Sequence, residues 1–121
     1  MNRPAARRGE VWYVTPDTLV GAQIRKERPM IVVRRNLTPD TSWTTIVVPF
    51  TDAEGKRPLP VRPLIVAGRG SGLSKDSLAI CDQVRSVDRQ RLVNKIGELT
   101  SPDMAAVMHA LHVILDFDGT Y

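Results

Sequence analysis

The sequence predicts a mainly β domain with one helix, built as a small β-barrel with an appended C-terminal helix. Three observations carry this. The apolar segments before residue 100 are short and β-branched, as in Ile31-Val32-Val33 and Ile46-Val47-Val48. Turn-forming clusters rich in Pro, Gly, Asp and Thr interrupt them at short spacing. Only the last segment repeats with a helical period. At 121 residues, 42% apolar and 25% charged, the chain has the size and composition of one globular domain with a single core.

The first strand is expected at 10–14, where Val, Trp and Tyr suit a half-buried pleated surface. Thr15-Pro16-Asp17-Thr18 reads as a turn, and 20–27, with Gly21 among polar and charged residues, as a mobile loop. Residues 29–33 form a second strand, Pro29 being tolerated as its first residue or at an edge. A connection through Arg34, Arg35 and Asn36 leads to a third strand at 42–50. Gly55, Pro58 and Pro60 make 52–60 a loop, and Pro63 places a strand at 61–66 on an edge. Gly68-Arg69-Gly70-Ser71-Gly72 lacks the GK[ST] ending of a phosphate-cradling loop and reads as a flexible surface turn. Residues 77–87 are expected as one central strand, Asp88 as the cap of a short helical turn through Leu92, and 95–99 as the closing strand. Ser101 is the expected N-cap of the final helix, with Pro102 at the first helical position and Asp103 complementing the helix dipole. Met104, Val107, Met108, Leu111, Ile114 and Leu115 recur at three- and four-residue steps and form its packing face.

Charge is unevenly spread. All 17 Lys and Arg lie between Arg3 and Lys95 with 9 of the 13 acids, a balance of +8, while residues 96–121 carry four acids and no Lys or Arg. Such a body favours a polyanionic partner, because cation–phosphate contacts release counterions. Solubility with an acidic tail is the plainer alternative. The single cysteine, Cys81, excludes an internal disulfide and fits a reducing cytoplasm. No apolar run approaches the roughly 18 residues of a membrane span, and Met1 to Gly9 lacks the apolar stretch of a signal peptide. His109 and His112 are the only histidines, and without HExxH or a cysteine pair no metal site is expected. Histidine-based nuclease and serine–histidine hydrolase chemistry are disfavoured for the same reason. Cys81, within an apolar strand, reads as a core thiol.

Two strand ends carry chemistry. Arg28, fixed by the following Pro29, begins one buried-type strand, and Thr51 ends another. An always-charged planar guanidinium and a hydroxyl are what a phosphate site requires. Each also has a plain reading, as a surface cation and a β-branched strand terminus. In Ile80-Cys81-Asp82-Gln83-Val84 strand alternation would turn at least one polar side chain inward, to be hydrogen-bonded or to line a ligand site.

Four segments in register resemble one family: Arg8-Gly9-Glu10-Val11-Trp12, the loop from Gly21 to Arg28-Pro29, Val47-Val48-Pro49-Phe50-Thr51, and Asp82-Gln83-Val84-Arg85-Ser86-Val87-Asp88. Together they are similar to the MazF/PemK (Kid-type) toxin endoribonucleases over Arg8 to about Phe117. The resemblance implies an SH3-like β-barrel (CcdB/MazF-like) with a C-terminal helix over 9–117, leaving a flexible head at 1–8 and a tail at 118–121. It further implies a cytoplasmic homodimer, no membrane association, no cofactor, and metal-independent, sequence-selective cleavage of single-stranded RNA by 2′-hydroxyl attack. As the toxin of a type II toxin–antitoxin pair, it would be countered by a cognate antitoxin with an acidic C-terminal segment. Arg28 is then the candidate for transition-state stabilisation and proton donation, and Thr51 for a hydrogen bond to the same phosphate. Asp82, matching a catalytic aspartate of the Kid branch, is secondary. Gln23, Arg25, Lys26, Lys56, Arg57, Gln83 and Arg85 are the RNA-binding candidates. The chain departs from the pattern twice. Gly21-Ala22-Gln23-Ile24 replaces the Gly-Ser-Glu-Gln of many relatives and lacks its carboxylate. Ile80 stands where the Kid branch has an arginine. A CcdB-like gyrase poison and a non-catalytic nucleic-acid-binding barrel are the rival readings. The first ends in Trp-Gly-Ile, whereas this chain ends Asp118-Gly119-Thr120-Tyr121.

Overall fold

The computed structural model describes residues 3–15 and 27–120. Its strands are β1 (Glu10–Val14), β2 (Arg28–Val32), β3 (Thr44–Asp52), β4 (Leu64–Ile65), β5 (Ser77–Ala79), β6 (Arg85–Asp88) and β7 (Leu92–Glu98), and helix α1 (Ser101–Leu115) ends the chain. All pairings are antiparallel, in the order β4-β5-β3-β2-β1-β7, with β6 also on β3. The ladder does not return from β7 to β4, so the barrel-like sheet is curled rather than closed.

Strand alternation explains why the sheet is buried on both faces. Val11, Ile31, Val33, Val48 and Phe50 point to one side, where Val107, Ala110 and Leu111 of α1 cover them. Trp12, Val14, Met30, Val32 and Val47 point to the other, closed by Val87, Leu92 and Ala6. Glu10 is buried beside the second cluster. Burial pushes its carboxyl pKa up, but the Arg7 N–H, the Trp12 indole N–H and Lys95 outweigh this and hold it below the ordinary value.

The expected central strand at 77–87 is broken. On the same edge of β3, Phe50 pairs with Ala79 and Val47 with Arg85, so three residues are looped out between β5 and β6. They form the 3₁₀ turn Cys81–Gln83. The alternation argument for Asp82 and Gln83 therefore fails: both side chains are exposed, and only Cys81 enters the core. A turn that frees a carboxylate and an amide from burial avoids the desolvation cost a continuous strand would impose.

Other elements shift less. Asp88 caps the 3₁₀ turn Arg89–Arg91 by accepting from the Gln90 N–H. The helix cap is Thr100 rather than Ser101, its Oγ1 accepting from the Asp103 N–H at 3.2 Å. The edge strand shortens to Leu64–Ile65. The glycine-rich turn lies at the surface, with Gly68, Arg69, Gly70 and Gly72 exposed, but it is anchored: Ser71 is buried, and the Glu98 N–H donates to the Gly70 carbonyl at 2.9 Å. A Cβ at Gly97 would stand 2.2 Å from that same carbonyl oxygen. Ahead of β1, Arg3 pairs with Asp88 and lies over the Trp43 ring at 4.1 Å, and the Arg8 Nε donates to the Val33 carbonyl. The loop expected at 20–27 lies, apart from the exposed Glu27, outside the described residues. Among the described residues no helix is long and apolar enough to cross a membrane.

Candidate active site

Arg28 and Thr51 are separated by 23 positions, yet the sheet brings them together. Met30 pairs with Pro49 and Ile31 with Val48 across β2 and β3. Carried on by two residues, that register sets Arg28 opposite Thr51, so the two side chains share one face. Both line a cavity of about 320 Å³ with Tyr13, Asp52 and Lys75. Arg28 is exposed and Thr51 half-buried, so a charged ligand can reach the guanidinium without the domain opening.

The hydroxyl is already oriented. The Lys56 ammonium donates to Thr51 Oγ1 at 3.3 Å and to the Asp52 carbonyl at 2.9 Å. An ammonium has donors only, so the Thr51 oxygen accepts there and its own hydrogen remains for another acceptor. Asp52 is the single carboxylate lining the cavity among the described residues. The Glu54 N–H first, and Lys75 and Lys56 after it, hold its pKa below the usual carboxylate range despite some desolvation. Its Oδ1 accepts from the Glu54 N–H at 2.9 Å, and its Oδ2 is 3.5 Å from Lys75 Nζ. The site therefore offers three cations, one oriented hydroxyl and one neutralised carboxylate. It is shaped for an anion.

Asp82 is elsewhere. Its carboxylate receives a two-pronged hydrogen bond from Arg62 at 2.9 and 2.8 Å, which is the main reason its pKa is lowered. Arg62 supplies the guanidinium that Ile80 cannot, from a different segment. Gln83 and Arg85 bond to each other at 3.3 Å on this same side. Arg85 pairs with Val47, which lies about 13 Å along β3 from Thr51 at the usual strand rise. None of these three lines the cavity of Arg28 and Thr51. Lys56 lines both the contact to Thr51 and a neighbouring cavity of about 490 Å³, whereas Arg57 is exposed on the same loop. Gln23, Arg25 and Lys26 lie outside the described residues. Sequence reasoning passed over Asp52 and Lys75. Asp52 directly follows Thr51, and Ser74-Lys75-Asp76 directly precedes β5, so strand-end position was the available signal. His109 and His112 are exposed on α1, with His112 near Phe117 rather than near the cavity.

A curled antiparallel sheet backed by one terminal helix, with an arginine and a threonine meeting at adjacent strand ends, defines a small-barrel protein with a cationic cavity at one end of its sheet. The sequence profile of the PemK-like, MazF-like toxin of type II toxin–antitoxin system matches residues 7–115. The chain is 33% identical over 109 residues to the endoribonuclease EndoA of Bacillus subtilis, covering 90% of this chain and 93% of that one. It is 34% identical over 117 residues to the endoribonuclease MazF9 of Mycobacterium tuberculosis, covering 91% and 96%. Its fold matches that of a mycobacterial endoribonuclease solved in complex with its cognate antitoxin, with a TM-score of 0.71 at 20% identity over 93% of this chain and 97% of that one. The chain belongs to the PemK-like, MazF-like toxin family of type II toxin–antitoxin systems.

Proposed function

We propose that this chain is the toxin of a type II pair and an endoribonuclease that cuts single-stranded RNA by internal attack. The observation that carries the reading is the meeting of Arg28 and Thr51 in one cationic cavity, with the Thr51 oxygen already engaged by Lys56. In the reaction, the ribose 2′-hydroxyl gives up its proton as its oxygen bonds to the adjacent phosphorus, and the bond to the 5′-oxygen breaks as that oxygen takes up a proton. The products are a 2′,3′-cyclic phosphate and a 5′-hydroxyl. Negative charge builds on the non-bridging oxygens, where a guanidinium fork and a hydroxyl donor act most strongly. Arg28 supplies the first and Thr51 the second. Among the described residues the cavity lining offers no histidine and no thiol, and its one carboxylate is held first by the Glu54 N–H and then by Lys75 and Lys56. That donor set serves charge stabilisation without a metal.

Lys56, Arg57, Gln23, Arg25 and Lys26 extend the basic path for the strand, and an acidic antitoxin segment competes for the same cations. Asp82, locked to Arg62, is a structural partner in this scheme. A second copy of the chain covers the apolar cavity of about 550 Å³ between α1 and the sheet, where Ile46, Met108, Leu111, Leu115 and Phe117 are gathered. Incubating the purified protein with a mixed RNA pool in EDTA tests the proposal. Discrete cleavage supports it; intact RNA that is nevertheless bound points to a plain binding barrel instead.

A further inference from the structure

The cavity that holds Arg28 and Thr51 has two kinds of wall. Arg28, Thr51, Asp52 and Lys75 bring charge and hydroxyl to it. Tyr13, Pro29, Phe50, Leu73 and Ile96 bring carbon, and among the described residues Gly72 and two serines complete the lining. A phosphate is served by the first group alone. At about 320 Å³ the space is at the small end of ligand cavities, which pair apolar walls with a few polar anchors in the same way. The carbon wall suits the part of a nucleotide that a phosphate site leaves out, the base. Phe50 is buried, so of the two aromatic rings in the lining only the half-buried Tyr13 keeps surface that a ligand can cover. Its neighbours on β1 are committed to packing, Val11 in one core cluster and Trp12 and Val14 in the other, whereas Tyr13 belongs to neither. Among the described residues no hydrogen bond fixes its hydroxyl and no second ring packs on its own. The sheet sets its position. Tyr13 pairs with Pro29, and the next residue, Val14, pairs with Arg28. One strand spacing and one residue step therefore separate the Tyr13 and Arg28 backbones, roughly 6 Å. A base is joined to its phosphate through one sugar, so a phosphate on Arg28 brings a base within reach of this ring.

We propose that Tyr13 is the stacking platform for the nucleobase on one side of the scissile phosphate. The assignment rests on the ribonuclease reading of the cavity and adds the part of the substrate that Arg28 and Thr51 do not touch. Unpaired bases of any identity stack on aromatic side chains, because each presents a π face. Tyr13 therefore holds the nucleotide without choosing among bases. The stacked base is unchanged by the reaction, so its contact contributes equally to ground and transition states and governs KM rather than kcat.

The test compares wild type, Tyr13→Leu and Tyr13→Phe on a short RNA carrying a site that the wild type cuts in the mixed pool. Two further RNAs keep every ribose but lack the base on the 5′ or the 3′ side of the scissile phosphate. Tyr13→Leu keeps an apolar side chain and removes the ring. It should raise KM on the order of tenfold or more, the value of one base on an aromatic side chain, with kcat retained. Tyr13→Phe should stay near wild type. On one of the two abasic RNAs the Tyr13→Leu effect should vanish, and on the other it should persist in full. An unchanged KM in Tyr13→Leu would overturn the proposal, as would an effect that persists on both abasic RNAs. A fall in kcat at constant KM would place Tyr13 in the chemistry and overturn it equally, and a Tyr13→Phe as impaired as Tyr13→Leu would assign the contact to the hydroxyl. If Tyr13→Leu does not fold, photocrosslinking of wild type to the 2′-deoxy-blocked site with 5-iodouracil at either flank decides. Attachment to Tyr13 from one flank supports stacking, and attachment only elsewhere overturns it. A wild type that cuts no RNA would overturn the parent reading with this one, whereas cutting without coupling to either base would overturn the stacking alone.

Discussion

A hydroxyl serves a phosphate only if its hydrogen is free to point there, and at Thr51 the Lys56 ammonium enforces that choice. Thr51→Val keeps the shape and removes the donor, so cleavage should fall while the melting temperature barely moves. Full activity would make Thr51 structural. Arg28→Ala removes an exposed strand-edge cation, with a stability cost within about ±0.5 kcal/mol and a loss of roughly 10²–10³-fold in kcat. Near-wild-type cleavage by the folded variant would exclude Arg28 from the chemistry. Cys81 behaves oppositely. Burial first, and the nearby Asp82 charge second, push its thiol up to about 12. A folded-state pKa above the unfolded one means its contribution is intact below about pH 9 and is lost as pH rises toward 12. Iodoacetamide at neutral pH should therefore label Cys81 only in denaturant; rapid labelling of folded protein would contradict its burial. At this scale the strand-end positions of Arg28 and Thr51 were legible from sequence, but residue type alone left both with plain readings, and only the family resemblance joined them as one candidate pair. The place of Lys75 was not legible, since nothing in Ser74-Lys75-Asp76 says which cavity it borders.

Between residues and the whole, the glycine-rich turn shows what local composition conceals. Gly68-Arg69-Gly70-Ser71-Gly72 reads as a flexible surface turn, and it lies at the surface, yet it docks on β7 so closely that Gly72 and Gly97 leave no room for a methyl group. A Cβ at Gly72 would stand 2.3 Å from the Ile96 carbonyl oxygen, and Gly72 has a φ of +79° that side chains resist. Gly97→Ala places a methyl against the Gly70 and Ser71 backbone, and the Gly70 carbonyl it meets is the one that accepts the Glu98 N–H. It should cost about 1–3 kcal/mol in urea unfolding. An unchanged midpoint would show that the turn gives way freely. The strands of the barrel were readable from their β-branched runs, and α1 from its cap and apolar steps. The break at Cys81–Gln83 was not. Hydrophobicity runs continuously through residues 77–87, and only the pairing partners on β3 reveal the three-residue shift.

For the whole molecule, the division of charge matches a division of labour. The basic part carries the Arg28–Thr51 cavity, while α1 has no Lys or Arg and presents Met108, Leu111 and Leu115 to a largely apolar cavity whose opposite side includes Arg8, Arg34 and Arg35. Leu115 is half-exposed and Phe117 more so, an arrangement that a second copy would cover. Leu115→Glu should shift the protein toward monomer in sedimentation without unfolding it. Unaltered assembly would move the contact to another face.

The central claim is that a phosphate held by Arg28 and Thr51 is attacked by its own neighbouring 2′-hydroxyl. It is tested most directly with two otherwise identical RNAs, one carrying a 2′-deoxy nucleotide before the scissile bond, incubated in EDTA with product ends identified by mass. The account predicts cleavage of the all-ribose strand alone, giving a 2′,3′-cyclic phosphate and a 5′-hydroxyl. Cleavage of the 2′-deoxy strand, or a 5′-phosphate on the products, would contradict it.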